Sequence, residues 1–427
     1  MLITFLFCEK EKTNNVITSD IANFWSAYDK ITTTKDTILQ LNYLKELFLN
    51  KGTIGLKELI KVKGYTLEEY LGAINNYPKF WNSIRKNTYK SHQISNKIND
   101  GIQKLKAIYP EMRPAKIYFT IGALRSGGTT KDSLVLISSE MAMTDENTVS
   151  SELPKESQNG RRRFFDSNPI NDIVLLNVHE YVHTQQNPIV HNLLSYVLYE
   201  GIAEFVSVKA MQTKSVTPAI SFGKKNEEKV KAKFEQEIFK GENTHEWLWS
   251  DAENEFGVRD LGYYIGYAIC ERHYTNAKNK KNAIKEMIEL DFANEEEVEK
   301  FIDDTNFFST TIEHLYQNFD KQRPVVKSIN EFNNGSQNVN PNITTISITF
   351  SEKMNINTRG FDFGPLGEKN VLSVKEVIGF SDDRKTFKFK VALKPDTRYQ
   401  SIVTNRFKMT NGIPLKSYLI DFKTKKD

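Results

Sequence analysis

Between Ile17 and Tyr109 apolar residues recur at i, i+3, i+4 and i+7, as in IANFWSAYDKI and TILQLNYLKELFL, and this spacing predicts a run of amphipathic helices. Gly52, Gly55, Gly64, Gly72 and Pro78 punctuate the shorter segments between them. Past the breakers Pro110 and Pro114, Lys116–Gly122 (KIYFTIG) reads as a strand. The loop LRSGGTTKDS and the apolar run LVLISSEM follow. This pattern predicts two short strands joined by a Gly-Gly loop, a small sheet laid beside helices. Helical spacing returns over Asp172–Gln186, with Asn171 or Asp172 placed to cap it and Pro188 just past its end, and again over Leu193–Ala210. Asn226–Phe239 is strongly charged and reads as a solvated helix. Asp260–Lys278, Lys281–Leu290 and Glu295–Phe301 continue an all-helical tract.

Near Arg323-Pro324 the texture changes. ITTISITFSEKMN, FKFKVAL and YLIDFKT alternate apolar and polar residues and are separated by Asn-, Gly- and Pro-rich turns. A stretch of about 100 such residues with no amphipathic helix predicts a β-sandwich. The order RPVVKSI, ITFSEKMN, LKPDTRYQSIVT, MTNGIPLKSYLIDFKT resembles the bacterial Ig-like domain of S-layer and cell-envelope proteins. The expected fold class is therefore α+β: a mainly helical domain with a small β-sheet over 17–322, then an all-β Ig-like sandwich over 323–427.

Composition adds exclusions. Of 427 residues 39% are apolar and 26% charged, ordinary values for a globular chain. Lys and Arg number 58 against 54 Asp and Glu, both signs interspersed, which leaves no basic footprint for nucleic acid. Two cysteines, Cys8 and Cys270, exclude a disulfide scaffold and a four-cysteine zinc cluster. No apolar run is long enough to span a membrane as a helix. The opening MLITFLFC, with the polar tether EKEKTNN over 9–15, is similar to the tail of a bacterial lipoprotein signal. That likeness implies a lipid anchor on Cys8 and an exported protein of the cell envelope, periplasmic or surface-exposed, with 1–16 as signal and tether.

One motif carries chemistry. His179-Glu180-Tyr181-Val182-His183 is H-E-x-x-H on a predicted helix. Residues i and i+4 lie on one helical face, so both imidazoles can reach one metal ion, and Glu180 lies beside that face, where it meets a metal-bound water. A third ligand is available in YEGIAEF: Glu200 follows His183 on the next helix, across a short Pro-containing turn, completing a His₂Glu set with an open fourth position. Glu204 stands one turn beyond Glu200, placed to take a hydrogen bond from the non-ligating nitrogen of His179. Two carboxylates on so apolar a stretch are costly to bury without a partner. Tyr263, Tyr264, Tyr267 and His273 of DLGYYIGYAICERHY are candidate oxyanion donors; Tyr267, whose Gly-Tyr context resembles that of a metallopeptidase family, is the first choice, then Tyr264, then His273. The strand Lys116–Gly122 and the loop Arg125–Thr130, with Gly127 and Gly128, are candidates for binding an extended substrate. Arg161–Arg163 read as a solvated loop, Cys270 as a core residue and His191 as surface.

H-E-x-x-H followed by E-G-x-A-E resembles the gluzincin zinc metallopeptidases, and the layout over 17–320 resembles predicted zinc-dependent proteases that are often envelope lipoproteins. The resemblance implies a gluzincin-like metallopeptidase domain with Zn²⁺ held by His179, His183 and Glu200, Glu180 as general base and Glu204 behind His179. It implies hydrolysis of a peptide or protein substrate, with the Ig-like domain as a spacer or a dock for envelope components. Two rival readings stand beside it: a non-catalytic envelope binding protein on the same scaffold, and a metallohydrolase of a non-peptide amide.

Overall fold

The computed structural model describes residues 15–241, 243–250 and 254–426; Cys8 lies outside them. The chain divides into two compact units, Met1–Lys231 with Thr244–Ser309, and Ala232–Asn243 with Thr310–Asp427. The architecture is α+β, and among the described residues no helix is long and apolar enough to cross a membrane.

In the first unit helices pack around a four-stranded sheet of order β1-β2-β4-β3. β1 (Val16–Ile17) runs parallel to β2 (Lys116–Thr120), and β2 runs parallel to β4 (Leu134–Ser138). The expected pair of strands joined by a Gly-Gly loop is not what forms. Two parallel strands need a crossover, and the intervening loop supplies its own strand, β3 (Gly128–Lys131), antiparallel to β4 at the sheet edge. Thr129 and Thr130 are β-branched and suit the pleat. Asp132, with φ 50°, then turns the chain back into β4.

Six helices matter for the site. α1 (Ile54–Lys63) is capped by Thr53 and stopped by left-handed Gly64; α2 is Ser91–Ile108 and α3 is Lys155–Asp166. α4 (Pro169–His183) begins earlier than its spacing suggested, because Pro169 has its φ preset for a first helical position. It is buried almost all round, through Ile173, Asn177, Val178, His179, Tyr181, Val182 and His183. Gly101 of α2 lets it come close, since a Cβ there would lie 2.8 Å from Val178 Cγ2. α5 (Leu193–Met211) and α6 (Leu261–Asn276) complete the set. The charged segment Asn226–Phe239 holds one helix, Glu227–Glu237, and a separate helix, Pro218–Lys225, precedes it. The arginines read as a loop lie on α3, where Arg161 donates to the Leu124 carbonyl and Arg162 to those of Glu146 and Thr148.

The second unit holds the sandwich. β5 (Val326–Ile329), β6 (Thr345–Phe350), β9 (Thr386–Lys390) and β8 (Glu376–Phe380) form one sheet in that order. β11 (Tyr418–Lys423), β10 (Arg398–Val403) and β7 (Phe361–Phe363) form the other. Their inward positions, among them Ile346, Ile348, Phe350, Phe387, Phe389, Ile420 and Phe422, make one apolar core.

The approach to β3 is held by a buried acid. Glu140 accepts the amide N–H groups of Gly122 and Leu124, and Leu124 sits at φ 66°, a conformation costly for a leucine. Burial pushes the Glu140 carboxyl up to about 7, from an ordinary 4.5, against the pull of those amides and of Arg161. The folded chain therefore binds the proton more tightly than the unfolded one. The stability this contributes is complete below about pH 4.5 and is lost as pH rises through about 7. Reversible urea unfolding should show wild type losing stability from pH 5 to pH 7.5 relative to Glu140→Gln, by roughly 3 kcal/mol at about 1.4 kcal/mol per pH unit. Parallel pH curves for the two proteins would refute this role.

Candidate metal centre

α4 and α5 are antiparallel neighbours joined by a short turn, which sets the C-terminal turn of one against the middle of the other. His179 and His183, one turn apart on α4, meet Glu200 of α5. His179 Nε2 and His183 Nε2 are 3.1 Å apart, and Glu200 Oε2 lies 3.4 Å from the first and 3.3 Å from the second. Both histidines are buried, and Glu200 is nearly so.

The outer ring nitrogens explain why these atoms converge. His179 Nδ1 faces Glu204 Oε2 at 3.2 Å, and His183 Nδ1 faces Gln186 Oε1 at 2.7 Å. Both partners are acceptors, so each Nδ1 carries a hydrogen and a neutral ring presents a lone pair at Nε2. Glu204 is itself fixed: Oε1 accepts from the hydroxyls of Ser215 and, at 3.2 Å, Thr217. Gln186 is fixed by donating to the Tyr199 carbonyl at 2.9 Å. Tyr199 stacks on the His183 ring, centroids 4.3 Å apart, and Tyr263 stacks more distantly on His179.

Three acceptor atoms thus crowd one point and call for positive charge there. Burial works against charging His179, yet hydrogen bonds and proximity to Glu200 and Glu204 outweigh it and push its pKa up to about 10. Burial likewise raises Glu200, but His183 and His179 together hold it well below the ordinary carboxylate range. A proton bridges two atoms, whereas these are three at nearly equal separations. Tetrahedral zinc, with bonds of ~2.0–2.1 Å, holds its ligands about 3.3–3.4 Å apart, close to the separations seen here. The donor set fits zinc.

Glu180 points its carboxylate to the sheet edge, where Thr130 of β3 donates to Oε2 at 2.7 Å. β3 is the edge strand of its sheet, and it takes up Gly128–Thr130 of the candidate loop Arg125–Thr130. Gly128 has a reason of its own to be glycine, since a Cβ would lie 2.8 Å from the Leu136 carbonyl of β4. Gly127 faces open space.

The favoured tyrosine needs correction. Tyr267 packs edge-to-face on Phe205 beneath the Lys224 ammonium. The Tyr264 hydroxyl is spent on Glu227, and His273 faces Glu286. It is Tyr263 that hydrogen-bonds Glu200, and its hydroxyl pKa is raised far above normal by burial first and then by that carboxylate. Tyr263 and Tyr267 stand one turn apart on the same face of α6, so spacing could not separate them. Gln186, Ser215 and Thr217 lie outside any motif and were missed.

The meeting of α5 and α6 depends on two glycines. A Cβ on Gly201 would sit 2.2 Å from the backbone carbon of Gly266, where no side chain can give way. Gly201→Ala should push α6 off α5, costing ~1–3 kcal/mol as overpacking does and loosening Tyr263 from Glu200. A fall in thermal midpoint is expected; an unchanged midpoint would show that the helices have slack.

With the geometry in view, three comparisons bear on kinship. A family model described as gliding motility protein GldB matches residues 8–256, and one described as bacterial Ig-like domain matches 320–424. No curated protein matches. Among solved structures, surface layer protein SbsC, domains 1–6, is 12% identical with a TM-score of 0.19, covering 96% of this chain and 45% of that one. The N-terminal part of the same S-layer protein is 12% identical with a TM-score of 0.18, covering 65% of this chain and 66% of that one. The chain thus spans less than half of the longer SbsC chain, and TM-scores this low carry no structural argument. The expected kinship with gluzincin peptidases is overturned: the residues holding the whole His–Glu constellation fall under the motility family. Two five-residue motifs on neighbouring helices suggested the peptidases, but so short a pattern fixes local chemistry rather than descent. With more than half of its residues under one family model, the chain belongs to the gliding motility protein GldB family, a lipoprotein family of the cell envelope, and carries a bacterial Ig-like domain after it in sequence.

Proposed function

We propose that this envelope protein holds one zinc ion through His179, His183 and Glu200 and uses it to hydrolyse an amide bond in a peptide or protein substrate. The observation that carries the reading is the near-equilateral triangle of Nε2, Nε2 and Oε2, with a further carboxylate, Glu180, beside it rather than in it. Zinc bound there supplies Lewis acidity, polarising a carbonyl and lowering the pKa of water to about 7.

The chain's own residues do the rest. Thr130 holds Glu180 Oε2, leaving Oε1 to take a proton from the attacking water and hand it to the leaving amine. Glu204 and Gln186 keep both imidazoles in the ligating tautomer. Tyr263 orients Glu200. The edge of β3 offers main-chain groups to an extended peptide. The finer localisation belongs to the same proposal: Cys8, where the family match begins, carries the lipid, and the Ig-like domain serves as spacer or dock.

A second reading is favoured by the family itself, whose description names motility and not hydrolysis. In it the same helices present a groove to an envelope partner, and catalysis plays no part.

Zinc content and hydrolysis of a mixed peptide library separate the two. Wild type should carry about one zinc. Glu180→Gln should keep it while hydrolysis drops ~10²–10⁴-fold. His183→Ala should lose both, and Glu204→Gln should weaken metal affinity or activity ~10–100-fold. Zinc-loaded wild type that cleaves nothing would leave the binding reading standing, and protein that never takes up zinc would end the metal proposal.

A further inference from the structure

The two histidines of the triangle are not held alike. Glu204 is a carboxylate and has only acceptors to offer His179 Nδ1. Gln186 as placed also accepts, from His183 Nδ1 at 2.7 Å, but its side chain carries a donor at the same tip. Turned over, that amide would donate to Nδ1, move the ring hydrogen to Nε2 and remove the lone pair a metal needs. The Tyr199 carbonyl opposes the turn, since it can only accept and lies 2.9 Å from Gln186 Nε2. That bond holds only while the backbone at Gln186, three residues past His183, stays between α4 and α5.

A clasp outside the motif keeps it there. Thr184, Gln185 and Gln186 are three polar residues in a row, and all are buried. The Gln185 amide grips the backbone of Arg113 on both sides. Its Oε1 accepts the Arg113 N–H at 2.6 Å, and its Nε2 donates to the Arg113 carbonyl at 3.1 Å and the Thr184 hydroxyl at 2.7 Å. The Arg113 guanidinium returns the grip, donating to the Gln185 carbonyl at 2.6 Å and the Thr184 carbonyl at 3.2 Å. Carbonyls at a helix end need partners from outside the helix. Two residues on, Ala115 donates its N–H to the Tyr181 hydroxyl at 3.0 Å, and β2 begins at Lys116. The end of α4 is thereby tied to the start of β2.

We infer that Gln185, together with Arg113, is a positioning residue for His183, acting through Gln186 to keep that amide the way round that leaves His183 Nε2 free for a metal. This rests on the zinc part of the proposed function and gives neither residue a part in breaking a bond. It also separates the two histidines. Loss of the clasp reaches His183 and leaves His179, whose partner Glu204 is fixed by Ser215 and Thr217, as it was.

The test is metal binding by the full chain, with Co²⁺ standing in for zinc in the spectra. Zinc affinity is read by competition with a chelator, and circular dichroism checks the fold. In cobalt-loaded protein each ligating imidazole that keeps its outer N–H gives one paramagnetically shifted proton signal, lost in heavy water. Wild type should show two, and the one that Gln186→Leu alters belongs to His183. Gln185→Ala should bind zinc about tenfold more weakly, the low end of the ~10–100-fold lost when an outer partner of a metal ligand is removed. The His183 signal should broaden or vanish through exchange with water while the other stays. Arg113 is exposed, so Arg113→Met loosens the clasp without opening the core. The same signal should broaden there, and Arg113→Lys, which still donates to carbonyls, should restore it. Unchanged affinity and signals in Gln185→Ala would overturn the inference and leave the metal site standing. Equal changes in both signals would overturn it as well, as a general loosening of the centre. If Gln185→Ala does not fold, the Arg113 variants decide, and an unaltered His183 signal in Arg113→Met overturns the inference. Wild type that takes up neither metal would end the zinc reading, and this role with it.

Discussion

Everything at the centre of the first unit depends on two hydrogen bonds that face away from it. Because Glu204 and Gln186 can only accept from the outer imidazole nitrogens, the inner nitrogens of His179 and His183 are turned into acceptors and forced together at 3.1 Å. Were either partner a donor, the tautomers would reverse and the cluster would present N–H groups to a carboxylate, a self-satisfied network with no appetite for a metal. The burial of Glu204 follows from the same constraint. Its two oxygens serve His179 on one side and Ser215 and Thr217 on the other, so a carboxylate 3% exposed is not left unsatisfied. Two helix contacts then bring the walls in. α2 meets α4 at Gly101, and α5 meets α6 at Gly201 and Gly266.

Membership in a motility family and a hydrolase-like donor set are not contradictory. Family assignment measures shared descent over hundreds of residues, whereas chemistry resides in a handful of atoms. Glu180 stands beside, but outside, the donor triangle and is held by Thr130 from an edge strand. The geometry and the family description therefore bear on different questions. One concerns what the site can do to a bond, the other what the protein is part of.

The helical parts of this arrangement were legible in the chain because spacing alone determines them. A period of 3.6 places His179 over His183 and Glu200 over Glu204 whatever else the protein does. What spacing cannot report is which elements meet. Tyr263 and Tyr267 share a face of α6, and the choice between them depends on where that helix crosses α5, a fact of tertiary packing. The parallel pairing of β2 with β1 joins segments about a hundred residues apart, and no local pattern announces it. β3 hides in a stretch whose glycines and serine suggest a loop. Gln186 closes the segment whose spacing reads as helical but lies past the observed end of α4, and nothing in that spacing says that its amide turns back to His183. In the sandwich the alternation in β6, β9 and β11 was plain, while the short edge strands β7 and β8 were not.

Charge balance ties the centre together. Glu200 and Glu204 bring two negative charges into a region shut off from water, and neutral imidazoles bring none. A dication cancels that pair, which a single proton on His179 does only by half.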